Sequence, residues 1–165
     1  MSDLQLTEKI RLTEILATTE DFLTELSKAL KLYQDKTIQQ QVNATEQGYD
    51  LAQVEAMYRY QLTHGRLWYI YVDNDFAGDF AISDDDEIAI VLSKNYQQQG
   101  VATAVLQYFL TVSSKIFWVK IAEKNLPSQR CFEKNNFVST GKVEENGKIY
   151  LKYSVKTDNG HQYKK

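Results

Sequence analysis

The sequence predicts an α+β domain, on three observations. Over 19–33 and again over 50–64 apolar residues recur at helical spacing, and from Leu67 the period shortens to two over three successive segments. Residues 87–113, EIAIVLSKNYQQQGVATAVLQYFLTVS, then pass from a strand pattern through a loop into a helix. With 165 residues the chain is long enough to bury about 70% of its unfolded surface around one core. The expected organisation is a single domain over residues 1–155 and a polar tail over 156–165.

Residues 9–13 alternate, with Ile10 and Leu12 on one side, and serve either a first strand or a short helix. Thr19-Glu20-Asp21 places a capping threonine before acids in a first turn, and Phe22, Leu23, Leu26, Leu30 and Tyr33 continue a helical stripe, predicting a helix over 19–33. Residues 34–47 are rich in glutamine, with Ile38 and Val42 the apolar positions, and read as a solvated helix or linker. Asp50 caps a second helix through Leu51, Val54, Met57, Tyr58 and Leu62. It is expected to end near His64-Gly65, with Gly65 in the left-handed conformation and His64 facing solvent beside the last carbonyls.

Three strands follow at 67–72, 76–82 and 87–92, separated by the turn clusters Asp73-Asn74-Asp75 and Ser83-Asp84-Asp85-Asp86, so an antiparallel meander is the economical arrangement. The helix over 101–112 carries Val101, Val105, Leu106, Phe109 and Leu110 on one face. A strand at 116–122, a short helix at 127–135 opened by Pro127, and a hairpin of 137–144 with 148–155 about Asn146-Gly147 complete the fold. Residues 156–165 lack apolar anchors.

Composition narrows the function. The net charge of −3 supplies no basic field for non-specific nucleic-acid binding. Cys131, the one cysteine, excludes an internal disulfide and a multi-cysteine zinc site, suits a reducing cytoplasm, and is expected to be a small core residue. The longest apolar run, 67–72, is far short of the roughly 20 residues of a membrane helix, and the N-terminal stretch mixes charges through its length. A cytoplasmic protein with neither nucleic acid nor membrane as partner is expected, with a homodimer left open.

The loop 93–100 carries the chemistry. A glycine at a strand-to-helix junction takes positive φ and bares backbone N–H groups, and the helix start adds unpaired donors and a positive dipole end, a combination suited to phosphate. An ordinary βα turn is the plain alternative. The loop reads Gln97-Gln98-Gln99-Gly100-Val101-Ala102, which resembles the Q/R-x-x-G-x-G/A signature of the GNAT superfamily of acyl-CoA-dependent N-acyltransferases. A second block about two dozen residues on, from Asn125 through Ser128, Phe132 and Lys134 to Phe137, resembles that family's N-x-x-[SA]-x-x-x-[YF]-x-K-x-G-F. The resemblance covers roughly residues 67–155.

It implies the GNAT fold: a mixed central sheet, antiparallel meander followed by a parallel strand pair splayed around the cofactor, flanked by about four helices. It implies acetyl-CoA as co-substrate and no metal. By resemblance the pyrophosphate sits on the backbone N–H groups of Gln98, Gln99, Gly100, Val101, Ala102 and Thr103 behind Gln97, and the pantetheine arm pairs with Ile90, Val91 and Leu92. Ser128 and Phe132 line the same site. Asn125 resembles the asparagine that bonds the pantetheine arm or a water; capping the helix after it is the equal alternative.

Direct transfer needs positioning and a proton route rather than a protein nucleophile. Glu87 matches the catalytic glutamate of the histone-acetylating branch, at an interval to the glycine one residue shorter than there; an exposed strand-end glutamate is its alternative. Asp79, inside a strand, is the other candidate base, on a face the pattern leaves open. Phe132 stands where many members carry the tyrosine that protonates the leaving thiolate, which leaves Tyr108, Ser128, Tyr150 or a water, an unassisted thiolate, or a protein without efficient turnover. Lys120 stands where the ribosomal-protein acetylating branch tends to carry glutamate, and Asn136 replaces a glycine whose left-handed turn asparagine tolerates.

The expected activity is acetyl transfer from acetyl-CoA to a primary amine of a small molecule or peptide. A non-catalytic acyl-CoA-binding module is the competing reading, and an open channel to Glu87 against a pocket plugged by aromatics divides the two. The acids Asp73, Asp75, Asp79, Asp84, Asp85, Asp86 and Glu87 either attract a cationic acceptor or simply solvate turns. Tyr33, Tyr58, Tyr60, Trp68, Tyr69 and Tyr150 either line an acceptor pocket or form core and rim.

Overall fold

The computed structural model describes residues 2–41 and 49–155, so the expectation for residues 156–165 lies outside the described residues, as does the 42–47 part of the 34–47 segment. In chain order come β1 (Ser2–Gln5), β2 (Ile10–Ile15), a 3-10 turn (Asp21–Glu25), α1 (Leu26–Gln34), α2 (Lys36–Gln41), α3 (Leu51–Thr63), β3 (Gly65–Val72), β4 (Asp75–Ser83) and β5 (Ile88–Leu92). A second 3-10 turn (Lys94–Tyr96) leads to α4 (Val101–Val112), β6 (Trp118–Ala122), α5 (Leu126–Lys134), β7 (Phe137–Glu145) and β8 (Lys148–Val155). The class is α+β as the pattern predicts, with five α-helices among the described residues rather than about four.

Strands β1 to β5 form one antiparallel sheet in sequence order, and β6-β8-β7 form a second. A single parallel bridge, Glu87 to Trp118, joins them. Past it β5 and β6 separate, each with a free edge toward the other.

The central strand β3 reads as an unbroken apolar run because both of its faces are covered. Trp68, Ile70 and Val72 pack with Phe80, Val105, Leu106 and Phe109 under α4 and α5. Leu67 and Tyr69 pack on the other side with Phe22, Leu26, Tyr33, Val54 and Tyr58 of the N-terminal helices. Trp68, Phe80 and Phe109 meet with ring centroids 4.8 to 5.7 Å apart, so Trp68 is core rather than pocket wall.

Local rules account for most boundaries. Asp50 and Gln53 exchange side-chain to backbone hydrogen bonds of 2.8 Å, a capping box that starts α3. Asn146 and Gly147 both have positive φ, 52° and 78°, the geometry of a two-residue hairpin turn. Asn136 is left-handed at φ 67°, a conformation that asparagine tolerates. His64 Nδ1 lies 2.9 Å from the Tyr60 carbonyl oxygen in an exposed setting, as expected.

Other expectations are corrected. Gly65 does not take positive φ and opens β3; its Cβ would collide with the Ile82 carbonyl oxygen on β4, so close strand approach requires it. Thr19 does not cap a helix: its hydroxyl donates to Leu16 O and Asp21, and the segment begins as a 3-10 turn before α1. β1, short and polar at the sheet edge, carries no pattern the sequence could advertise. No helix among the described residues is long and apolar enough to cross a membrane.

Candidate active site

A cavity of about 900 Å³ opens where β5 and β6 diverge. One end is the start of α4. Gly100 is its N-cap with φ +81°, and no side chain caps the first turn, so the N–H groups of Val101, Ala102 and Thr103 keep their helix-end character. Gln98 is also left-handed at φ 59°. A Cβ built on Gly100 meets nothing within 4 Å. Crowding therefore does not select the glycine; its dihedral does, together with the open space in front of it that a side chain would fill.

Gln98, Gly100, Val101, Ala102 and Thr103 line this end with Arg130 and Lys134 of α5. The two cations are four apart on one helical face, a spacing that could have identified them from the sequence. An anion would meet backbone donors on one wall and two cations on the other, so the site fits a pyrophosphate. Gln97 is drawn into the loop itself, its Nε2 donating to Leu92 O at 2.9 Å and pairing with the Gln41 amide at 3.1 Å. Ile90, Val91 and Leu92 line the free edge of β5, facing Val119 to Ala122 of β6.

The other end of the cavity carries the acids. The β3-β4-β5 register sets Asp79 between Tyr69 and Val91, on the α1 and α3 face, which answers the question its strand pattern left open. It is 1% exposed and accepts hydrogen bonds from Tyr33 Oη (2.8 and 3.0 Å) and Tyr58 Oη (2.7 Å). Burial pushes its carboxyl up to about 6, against the two tyrosine hydrogen bonds that pull it down.

Glu87 is half-buried just before β5. Burial raises its pKa, opposed by Lys120, whose Nζ lies 3.8 Å away. Lys120 also donates to Glu145 at 2.9 Å. Burial alone would lower the lysine, but Glu145 and Glu87 outweigh it and hold it charged. Tyr33, Tyr49, Met57, Gln61 and Tyr150 complete this end. Among the described residues no group of three or more His, Cys, Asp or Glu is placed to hold a metal ion.

Glu87, Asp79, Asn125, Ser128 and Phe132 all reach this cavity. Asn125 caps α5, its Oδ1 accepting from Ser128 N at 3.3 Å, and faces the cavity as well, so neither of its two roles excludes the other. Gln99 and Tyr108 are not among the lining residues: Gln99 bonds Asn95 O at 2.6 Å, and the Tyr108 ring packs edge-on to Phe109. Tyr60 is exposed and stacks on His64. Cys131, expected in the core, is half-buried and lines the cavity, with burial pushing its thiol up. Lys120, Glu145, Gln61 and Tyr49 are the lining residues that no sequence signal marked as a group, because they come from four separate parts of the chain.

A cleft between splayed strands that ends on an uncapped, glycine-led helix is the architecture of an acyl-CoA-dependent acetyltransferase. Residues 28–137 match the acetyltransferase (GNAT) family, and the chain belongs to it. No curated protein matches the sequence. Among solved structures, an acetyltransferase from Salmonella typhimurium that modifies the N-terminal serine of a 50S ribosomal subunit protein is similar at TM-score 0.66 and 18% identity, over 93% of this chain and 98% of that one. Spermidine N-acetyltransferase from Vibrio cholerae, in complex with coenzyme A and spermine, gives 0.68 and 13% over 90% and 96%. AAC(6')-Ib, in complex with ribostamycin and coenzyme A, gives 0.70 and 14% over 90% and 93%. At these identities the likeness is one of fold.

Proposed function

We propose that the protein transfers an acetyl group from acetyl-CoA directly to a primary amine of a small molecule or peptide. The observation that carries this reading is the continuity of the cavity from the α4 start to Glu87. An acyl-CoA-binding module would gain nothing from a channel open to a carboxylate. The acidic end and tyrosine walls suit a cationic amine. Placement in the cytoplasm belongs to the same proposal, supported by the single, unpaired cysteine.

In this reading the N–H groups of Gln98 and of Gly100 to Thr103 hold the pyrophosphate, and the free edge at Ile90 to Leu92 pairs with the pantetheine arm. The thioester then lies between β5 and β6, level with the carboxylates. Holding both reactants in attack geometry contributes several kcal/mol of the barrier reduction. Glu87 removes the amine proton. It suits that task better than Asp79, whose oxygens are already engaged by two tyrosines, whereas the nearest cation to Glu87 stands 3.8 Å off.

Glu87→Gln is accordingly expected to lower kcat by about 100-fold and to flatten the acidic limb of the pH profile, since only the ionised carboxylate accepts a proton. Unchanged kinetics would pass the role to Asp79 or water. The reading as a whole is tested by thermal unfolding with acetyl-CoA, followed by thiol release on a panel of amines. At 100 times its Kd the ligand stabilises by about 2.7 kcal/mol, a rise in Tm on the order of 5–10 °C. An unmoved midpoint would sink the acetyltransferase reading and leave the fold standing.

A further inference from the structure

Expulsion of coenzyme A leaves a thiolate that needs a proton. Phe132 has no hydroxyl, and its ring is buried edge-on against Phe137 at 5.0 Å. Apart from Tyr150, the hydroxyls that reach the cavity are unequal to the task. Tyr33 is committed to Asp79, and Ser128 and Thr103 are aliphatic alcohols, far weaker acids than a phenol. Tyr49 stacks face-on upon Tyr33, on the helical wall.

Tyr150 differs. It lies on β8 opposite Ala122 of β6 and Val143 of β7. It is 6% exposed, lines the cavity, and its Oη has no hydrogen-bond partner among the described residues. Folded proteins seldom leave a buried hydroxyl unpaired without a use for it. Counting on from the parallel bridge between Glu87 and Trp118 sets Ala122 level with Val91, so Tyr150 stands beside the segment of β5 that the pantetheine arm would follow. The charged and titratable groups around it are Lys120 of β6, Glu145 of β7, Glu87 before β5 and Tyr49 before α3. Lys120, on the same face of the sheet, supplies the cation that a phenolate would need.

We propose that Tyr150 is the proton donor to the departing thiolate of coenzyme A, an inference that rests on the acetyl-transfer reading. The amine nitrogen attacks the acetyl carbon and forms the C–N bond. Collapse of the tetrahedral intermediate breaks the C–S bond, and its electron pair leaves on sulfur. The Tyr150 Oη proton passes to that sulfur. The phenolate, held beside Lys120, then recovers the proton that Glu87 took from the amine. The products are the N-acetylated amine and the free thiol, and the protein returns to its starting state.

The test is Tyr150→Phe, followed by thiol release from acetyl-CoA with spermidine, with a seryl-headed peptide and with water as acceptors. The expected result is a fall in kcat of about 100-fold, an unchanged KM for acetyl-CoA, and loss of the basic limb of the kcat profile. Adding Phe132→Tyr to that variant restores the hydroxyl from the other wall and is expected to recover at least about 10-fold. A Tyr150→Phe protein within about 3-fold of the wild-type kcat overturns the inference alone. So does a slower variant that keeps its basic limb and gains nothing from Phe132→Tyr. Wild-type protein that releases no thiol with any acceptor, water included, overturns the inference together with the reading beneath it.

Discussion

Gly100→Asp is expected to leave the fold standing and to abolish coenzyme A binding, seen as a loss of at least about 100-fold in affinity by calorimetry. The two halves of that expectation have separate causes. The Cβ enters open space, so nothing in the protein is displaced, and the cost of a non-glycine residue at φ +81° is on the order of 1–3 kcal/mol. The carboxylate, in contrast, would stand against the backbone donors and the positive end of α4, in the place proposed for the pyrophosphate, adding charge repulsion to lost space. Gly100→Asn separates the effects, because asparagine tolerates the left-handed dihedral and carries no charge. It should weaken binding less than aspartate does. Coenzyme A affinity retained by Gly100→Asp would remove the α4 start from the cofactor site.

The second large effect concerns pH. Asp79 titrates near 6 in the folded protein against an ordinary 3.8, chiefly because burial disfavours its charge. Between those values the native state holds a proton that the unfolded chain has released. Stability from this group is therefore fullest below pH 4 and is lost as pH rises to about 6, a change of about 3 kcal/mol. Asp79→Asn removes the titration while keeping one acceptor, and two N–H donors, before the Tyr33 and Tyr58 hydroxyls. Relative to wild type, the variant should gain about 2–3 kcal/mol in denaturant stability between pH 4 and pH 7. A difference that stays constant across that range would show that the carboxyl is ionised throughout. Activity adds a second reading: a kcat near wild type in Asp79→Asn alongside a slow Glu87→Gln protein would assign proton removal to Glu87.

Elements built on local rules were legible in advance. The helix expected over 101–112 is α4 residue for residue, because an apolar stripe and a glycine N-cap lie within one short stretch. Asp50 caps α3, and Asn146-Gly147 turns the last hairpin, for the same reason. Legibility fell where a neighbouring strand decides. Gly65 matched a helix-ending glycine in sequence, yet the Ile82 carbonyl across the sheet is what demands it. Tyr108 had the right chemistry, but the pitch of α4 sets it against Phe109, and it does not line the cavity.

By itself the sequence determined the α+β class, the order of elements from α3 onward and the glycine-led loop at 97–103, since capping, turn chemistry and hydrophobic period act over a few residues along the chain. Only the tertiary structure decided the acid end of the cavity. It set Asp79 beneath Tyr33 and Tyr58, drew Lys120 between Glu87 and Glu145, and left the Tyr150 hydroxyl without a partner among the described residues, beside the splayed strands. Those groups stand tens of residues apart in the chain. Strand register and helix packing bring them together, and the residues at either end carry no local sign of the contact.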